Sequence, residues 1–88
     1  MTIIDLITDE YSKACKKFKP FNSPHEGYAI IKEELDELWM EVKKKKHDKS
    51  RMARESIQLA AMALRFLTDI CQLDKEDSNG RNKSNINR

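Results

Sequence analysis

The segment SPHEGYAIIKEELDELW, from Ser23 to Trp39, decides the fold of this chain because it contains both a helix start and a helix face. Ser23 can cap a helix, Pro24 suits the first helical position, and Glu26 at the third position can complete the cap. Apolar residues then recur at intervals of three and four, the spacing of one face of an α-helix. The segment therefore predicts a long helix with a buried stripe of Tyr28, Ile31, Leu35, Leu38 and Val42.

Two further helices are predicted on either side of this segment. On the N-terminal side, Thr2 can cap a helix that has the same apolar spacing and ends near Lys17. On the C-terminal side, the lysines at 43–46 suit the C-terminal end of a helix dipole. Residues 47–50 then form a turn in which Asp48 or Ser50 caps the third helix. The chain is thus predicted to be an all-α bundle of about three helices, in one domain over residues 1–74.

The third predicted helix is apolar around nearly its whole circumference from Ile57 to Ile70. Such a helix must be covered on more than one side, and a chain of 88 residues buries only a modest share of its surface. We therefore expect a second copy of the chain to complete the bundle, as a homodimer or a dimer of dimers. Residues 75–88 are rich in Asn, Ser and charged residues, which predicts a disordered polar tail.

Composition and charge exclude several classes of function. The chain has 17 basic and 15 acidic residues; four and two of these lie in residues 75–88, which leaves 13 of each in the body. This balance gives no broad cationic surface for a nucleic-acid duplex. No apolar run reaches the roughly 20 residues that span a bilayer. Cys15 and Cys71 form no metal or redox motif, so we expect reduced, half-buried thiols in a cytoplasmic protein.

The acidic residues of the second helix are the candidate site. Glu34 and Glu37 lie three residues apart, hence on one face beside the predicted stripe. On the third helix, Glu55 precedes Gln58 by the same interval, and a helical hairpin would bring the two pairs within side-chain reach. Carboxylate oxygens are ligands that Mg²⁺ prefers. The alternative is a solvated acidic face, paired with Lys32, Lys44 and Lys45.

Glu33-Glu34-Leu35-Asp36-Glu37 and Glu55-Ser56-Ile57-Gln58 resemble the paired motifs E-E-x-x-E and E-x-x-D of the MazG-like all-α nucleotide pyrophosphohydrolases. The surrounding residues, 25–28 and 58–63, look like the small phage and prophage branch of that family. The resemblance covers roughly residues 21–69. It implies hydrolysis of a nucleoside or deoxynucleoside triphosphate to the monophosphate and pyrophosphate, with Mg²⁺ or Mn²⁺. It also implies homo-oligomers, with Glu33 orienting or activating the attacking water and metal ligands at Glu34, Glu37, Glu55 and Gln58.

Gln58 departs from the family pattern, which has Asp at this position. Its amide oxygen can still be a ligand, but the loss of one negative charge weakens the binding of a hard cation. Two alternative functions therefore stay open. One is a non-catalytic protein that binds or sequesters a nucleotide, and the other is a helical interaction module without a metal site.

Several other side chains are candidates for contact with a nucleotide. The basic residues that could bind phosphates are His25, Lys32, Arg54 and Arg65. For His25 the alternative is a capping or surface role, and for Arg65 it is an ion pair with Asp69 one turn further on. The aromatic residues that could stack on a base, or instead pack in the core or an interface, are Phe21, Tyr28 and Trp39.

Overall fold

The computed structural model describes residues 1–73, which form the helices α1 (Ile3–Lys17), α2 (Pro24–Val42) and α3 (Lys49–Asp69). This part of the chain contains no strand, so the predicted all-α class is confirmed. None of the three helices has the length and hydrophobicity that crossing a bilayer requires. The predicted tail at 75–88 lies outside the described residues.

The three helix starts follow the capping residues that the sequence contains. The side chains of Thr2, Ser23 and Asp48 each accept a hydrogen bond from the backbone N–H three residues on, at 3.0, 3.0 and 3.2 Å. Each bond satisfies a donor that the first turn of a helix leaves without an intrahelical partner. Of the two predicted caps for α3, Asp48 is therefore the cap and Ser50 lies inside the helix.

The central helix of the bundle is α3. Both α1 and α2 pack on it, while the backbones of α1 and α2 do not come into contact with each other. The two outer helices therefore diverge and leave a cleft above α3. The buried apolar core beneath this cleft is small and consists of Ala14, Phe21, Ala61 and Met62.

Helix α2 turns a different face to α3 from the one predicted. Three of its five predicted core residues are exposed, with exposed fractions of 63% for Tyr28, 48% for Leu35 and 38% for Val42. The buried residues of α2 are Gly27 and Glu41, on the neighbouring side of the helix. The apolar residues do share one side of α2, but that side lies mostly at the edge of the interface with α3 and in solvent.

Gly27 accounts for this rotation because it allows a close approach between α2 and two aromatic rings. A Cβ atom at this position would lie 2.6 Å from Cδ2 of Phe66 and 3.0 Å from Cδ2 of Phe21, which is closer than van der Waals contact allows. The rings thus occupy the space that a side chain would need. The side of α2 without a side chain therefore packs most closely on α3.

Gly27→Ala is expected to destabilise the fold. Forcing a methyl group into a packed interface costs about 1–3 kcal/mol, of which the higher helix propensity of Ala recovers up to about 1 kcal/mol. Urea unfolding followed by circular dichroism measures the difference. Adding Phe66→Leu should restore part of the stability in the Gly27→Ala background. A Gly27→Ala variant more stable than the wild type would contradict the close approach.

Most of α3 is covered within the chain itself. From Ile57 onward, Ala63 and Leu67 are the exposed apolar residues of this helix, and the others are buried or half-buried. The other two helices therefore cover much of α3, but most of its apolar residues stay partly exposed, and the expected second copy of the chain remains a prediction. The larger exposed apolar surface lies on α2 instead, where Trp39 is 56% exposed.

Both cysteines are free, but neither belongs to the core. Cys15 and Cys71 are exposed, so the predicted half-buried packing role is wrong. Cys15 follows the buried Ala14 directly, and neighbouring helical residues point about 100° apart. The apolar spacing of α1 is too coarse to separate these two positions.

Candidate functional site

Three carboxylates meet where α2 and α3 face each other. Glu34 and Glu37 lie one turn apart on α2, and Glu55 belongs to the N-terminal part of α3. One oxygen atom from each side chain lies within 4.8 Å of the other two. Glu34 and Glu55 are half-buried and Glu37 is exposed. The helical hairpin thus brings together three of the four predicted metal ligands, and we call these three residues the acidic triad.

The acidic triad forms no ion pair with a basic side chain of residues 1–73. The ion pairs within residues 1–73 involve none of its members. Burial raises the pKa of Glu34 above its ordinary value of 4.5, and the charges of Glu37 and Glu55 add to the shift. A hard divalent cation binds carboxylate oxygens and would remove this repulsion. These three carboxylates are therefore a donor set that fits Mg²⁺ or Mn²⁺ once their oxygen atoms move slightly closer together.

The raised pKa of Glu34 predicts how the metal-free protein responds to pH. A carboxyl group whose pKa is higher in the folded state binds more protons there, so its repulsion is absent below pH 4.5. The destabilisation grows as pH rises toward the shifted value and is complete above it. In EDTA, Glu34→Gln should therefore raise Tm at about pH 7 but hardly at about pH 4. An equal shift of Tm at both pH values would contradict the coupling.

Gln58, the fourth predicted ligand, is held by a residue of α1. Its Nε2 donates a hydrogen bond to Oε2 of Glu10 at 3.1 Å. An Asp at this position would place a second carboxylate against Glu10, so the amide suits its surroundings here. The structure thus adds Glu10 to the acids near the triad, and its charge contributes to the raised pKa of Glu34.

The cleft above α3 encloses about 990 Å³ and reaches the triad through Glu34. Glu33 and Glu34 lie on its α2 wall, while Glu37 and Glu55 lie outside it. The predicted catalytic residue Glu33 is exposed and therefore accessible from the cleft. Met62 and Gln58 belong to the floor. The loop at 18–22 closes the opposite end.

Arg65 is buried at the loop end of the cleft, with 4% of its surface exposed. Its Nη2 donates to the carbonyl oxygen of Lys19 at 2.7 Å and lies 3.8 Å from Oδ2 of Asp69. Its guanidinium group also stacks over the ring of Phe21 at 4.3 Å. The alternative interpretation of Arg65, an ion pair with Asp69, is therefore confirmed. Within residues 1–73, Arg65 is the predicted phosphate-binding residue that lines the cleft.

The other predicted phosphate contacts are not brought to the cleft. His25 and Arg54 are exposed and belong to no wall of it. The ammonium group of Lys32 donates to Asp36 at 3.0 Å, and this bond and the charge of Asp36 raise the pKa of Lys32. These two residues form the solvated pair that the alternative interpretation anticipated.

The aromatic residues are distributed differently from the prediction. Phe21 is buried beneath Arg65, while Tyr28 and Trp39 are exposed on α2 and line no part of the cleft. The ring that the cleft does expose is Phe18, with an exposed fraction of 55%. Packing is therefore the role of Phe21, and the two exposed residues of α2 are available to a partner surface.

Sequence reasoning missed the contribution of α1 to this site. Glu10, Lys13 and Lys17 line the cleft from α1, at the intervals of three and four that place them on one face. That spacing is a signal, but a charged helix face is usually solvated. This face lines the cleft only because α1 packs against residues almost fifty positions away in the sequence.

Comparisons with protein-family models, with curated protein sequences and with solved structures find no match for this chain. The resemblance to MazG-like enzymes consequently stays a prediction from the two motifs. Support for a function comes from the triad, the cleft and their surroundings.

Proposed function

We propose that this protein is a Mg²⁺-dependent pyrophosphohydrolase of nucleoside or deoxynucleoside triphosphates, with a MazG-like fold. The observation that carries the proposal is the acidic triad, whose charge is uncompensated within residues 1–73 and which lies beside a cleft. Two other acids of α2 are paired with lysines, Asp36 with Lys32 and Glu41 with Lys44. The members of the triad form no such ion pair within residues 1–73, although they lie close to one another.

In this proposal the acids divide into two groups. Glu34, Glu37 and Glu55 would hold the metal, with Gln58 able to offer its amide oxygen. A metal bound there would supply positive charge that neutralises the phosphate oxygens. Glu33, exposed in the cleft, orients the water and accepts its proton as the oxygen attacks the α phosphorus. The bridging oxygen then leaves with pyrophosphate.

A panel of ribo- and deoxynucleoside triphosphates with Mg²⁺ or Mn²⁺, followed by ³¹P NMR for monophosphate and pyrophosphate, tests this proposal. Glu37→Gln removes one ligand, and Asp36→Asn is the matched control because Asp36 lies on the same helix outside the triad. We expect turnover in the wild type and the control and a large loss in Glu37→Gln. Full turnover by Glu37→Gln would refute the assignment of the metal site.

A non-catalytic nucleotide-binding protein is the second candidate, favoured by the state of Gln58. Residue 58 is Gln, so the site lacks the carboxylate that the family's second motif has there, and the amide donates to Glu10 instead. A metal held with one charge fewer can bind a nucleotide without activating water efficiently. Nucleotide binding by calorimetry, without release of pyrophosphate, would favour this candidate over the enzyme.

Self-association belongs to the same proposal, as a homodimer or a dimer of dimers. The observation that supports it is the exposed apolar side of α2. There, Tyr28, Leu35 and Trp39 recur at intervals of seven and four. An apolar helix face of this kind pairs readily with a copy of itself. Sedimentation of the wild-type chain measures its oligomeric state.

A cytoplasmic location is also proposed, since nucleotide substrates occur there and both thiols are free.

A further inference from the structure

The two walls of the cleft have opposite charge. The α2 wall presents Glu33 and Glu34, whereas the α1 wall presents Lys13 and Lys17. The rise of an α-helix separates these two lysines by about 6 Å along the wall. Glu10 lies about 4.5 Å beyond Lys13, on the side away from Lys17. A ligand that fills the cleft therefore meets carboxylates on one side and ammonium groups on the other.

The two lysines have no carboxylate partner within residues 1–73. The ion pairs of this region involve other residues. The Nζ atom of Lys17 lies over the ring of Phe18, 5.4 Å from the ring centre. Arg65, by contrast, is committed to Lys19 and Asp69. The cations that remain available to an anion in the cleft are thus Lys13 and Lys17 of α1, together with Lys19 of the adjoining loop.

The loop end of the cleft offers an aromatic surface next to these cations. Phe18 directly follows α1, lines the cleft and is 55% exposed. Aromatic rings that alternate with basic side chains are typical of sites that stack a base and bind its phosphates. A base at Phe18 would place its phosphates along Lys17 and Lys13, in the direction of Glu34.

We propose that α1 is the substrate-orienting wall of the site: Lys13 and Lys17 hold the phosphates of a nucleoside triphosphate whose base stacks on Phe18. This inference rests on the proposed function, because it concerns the same cleft. It explains how one ligand can satisfy both walls, with the metal-bearing end at the acidic triad. It also assigns a role to the helix that lies outside the residues resembling the MazG-like motifs.

Calorimetry in Mg²⁺ tests the inference with two probes, one that has no base and one whose α–β bridge cannot be hydrolysed. One is inorganic triphosphate, and the other is a set of deoxynucleoside triphosphates with a methylene group in the α–β bridge. The variants are Lys13→Ala combined with Lys17→Ala, and Phe18→Leu. Lys16→Ala is the matched control, since Lys16 is exposed on α1 and does not line the cleft.

The double lysine variant should bind both probes about tenfold or more weakly, because each phosphate contact is a charge-assisted hydrogen bond. Phe18→Leu should weaken binding of the nucleotide analogues by about tenfold while leaving inorganic triphosphate unchanged. The orientation is overturned, and the proposed function stands, if the wild type cleaves nucleotides but the double lysine variant binds both probes like Lys16→Ala. The same holds if Phe18→Leu binds the nucleotide analogues like Lys16→Ala. A wild type that binds neither probe overturns both.

Discussion

Glu34→Gln should lower the rate of Mg²⁺-dependent nucleotide hydrolysis by roughly a hundredfold or more, because losing about 3 kcal/mol of metal-dependent stabilisation has an effect of this size. Glu34 is the member of the triad that also lines the cleft, so under the proposed function it would contact both the metal and the substrate. Initial rates at saturating substrate, across a range of Mg²⁺ concentrations, measure the effect.

A second readout of the same variant does not depend on turnover. Mg²⁺ should raise Tm of the wild type, because a ligand that binds the folded state alone stabilises it. In Glu34→Gln this increase should shrink strongly, whereas Asp36→Asn should keep it. The metal-free Glu34→Gln protein should also be more stable than the wild type at neutral pH, because the repulsion around Glu34 is gone. An undiminished response of Tm to Mg²⁺ would exclude Glu34 as a ligand.

Arg65→Ala should destabilise the fold by about 3 kcal/mol, since removing one partner of a buried ion pair has an effect of this order. The guanidinium group holds the loop through Lys19, pairs with Asp69 and stacks on Phe21. The buried Nε of Arg65 has no hydrogen-bond partner within residues 1–73, which costs some stability in the wild type. The expected loss therefore lies near the lower end of the range for breaking a buried ion pair. Urea unfolding measures it.

Arg65→Lys separates the charge of this residue from its shape. Lysine keeps the positive charge but has no planar fork that can stack on a ring while it donates to two acceptors. We therefore expect Arg65→Lys to lose more than half of the stability lost in Arg65→Ala. Arg54→Ala, an exposed change on the same helix, should stay within about 0.5 kcal/mol of the wild type. Equal stability of Arg54→Ala and Arg65→Ala would show that the buried contacts are dispensable.

The helix boundaries of this protein could be predicted from its sequence because capping is local chemistry. Thr2, Ser23 and Asp48 each bond to an amide three residues away, and such an interaction depends on neighbours that the sequence displays directly. The hairpin of α2 and α3 was predictable for the same reason. A short connection between two capped helices leaves few arrangements, and the triad follows from it.

The face of α2 could not be predicted in the same way. Its apolar stripe shows that Tyr28 and Leu35 share a side, but periodicity alone does not show what covers that side. The approach of Phe66 to the missing side chain of Gly27 selects a neighbouring side for the interface. Such selection depends on the shape of residues about forty positions away, which no local pattern contains.

The role of α1 in the site is a second property that required the structure. Glu10 lies 48 residues from Gln58 in the sequence, and their hydrogen bond exists only once α1 has packed on α3. The motifs that resemble MazG-like enzymes lie entirely in α2 and α3. A search for acids at motif spacing therefore finds the triad and overlooks the lysines and the aromatic ring of the opposite wall.

The absence of direct packing between α1 and α2 has a consequence for the order of folding. Contacts within the α2–α3 hairpin can form progressively outward from its short connection, whereas those that dock α1 span 48 to 57 residues, as between Tyr11 and Thr68. Loop-closure entropy favours the hairpin first and α1 last. The same asymmetry allows α1 to detach while the hairpin persists. Amide hydrogen exchange should therefore be fastest in α1, and a nucleotide bound to both walls should slow it there most.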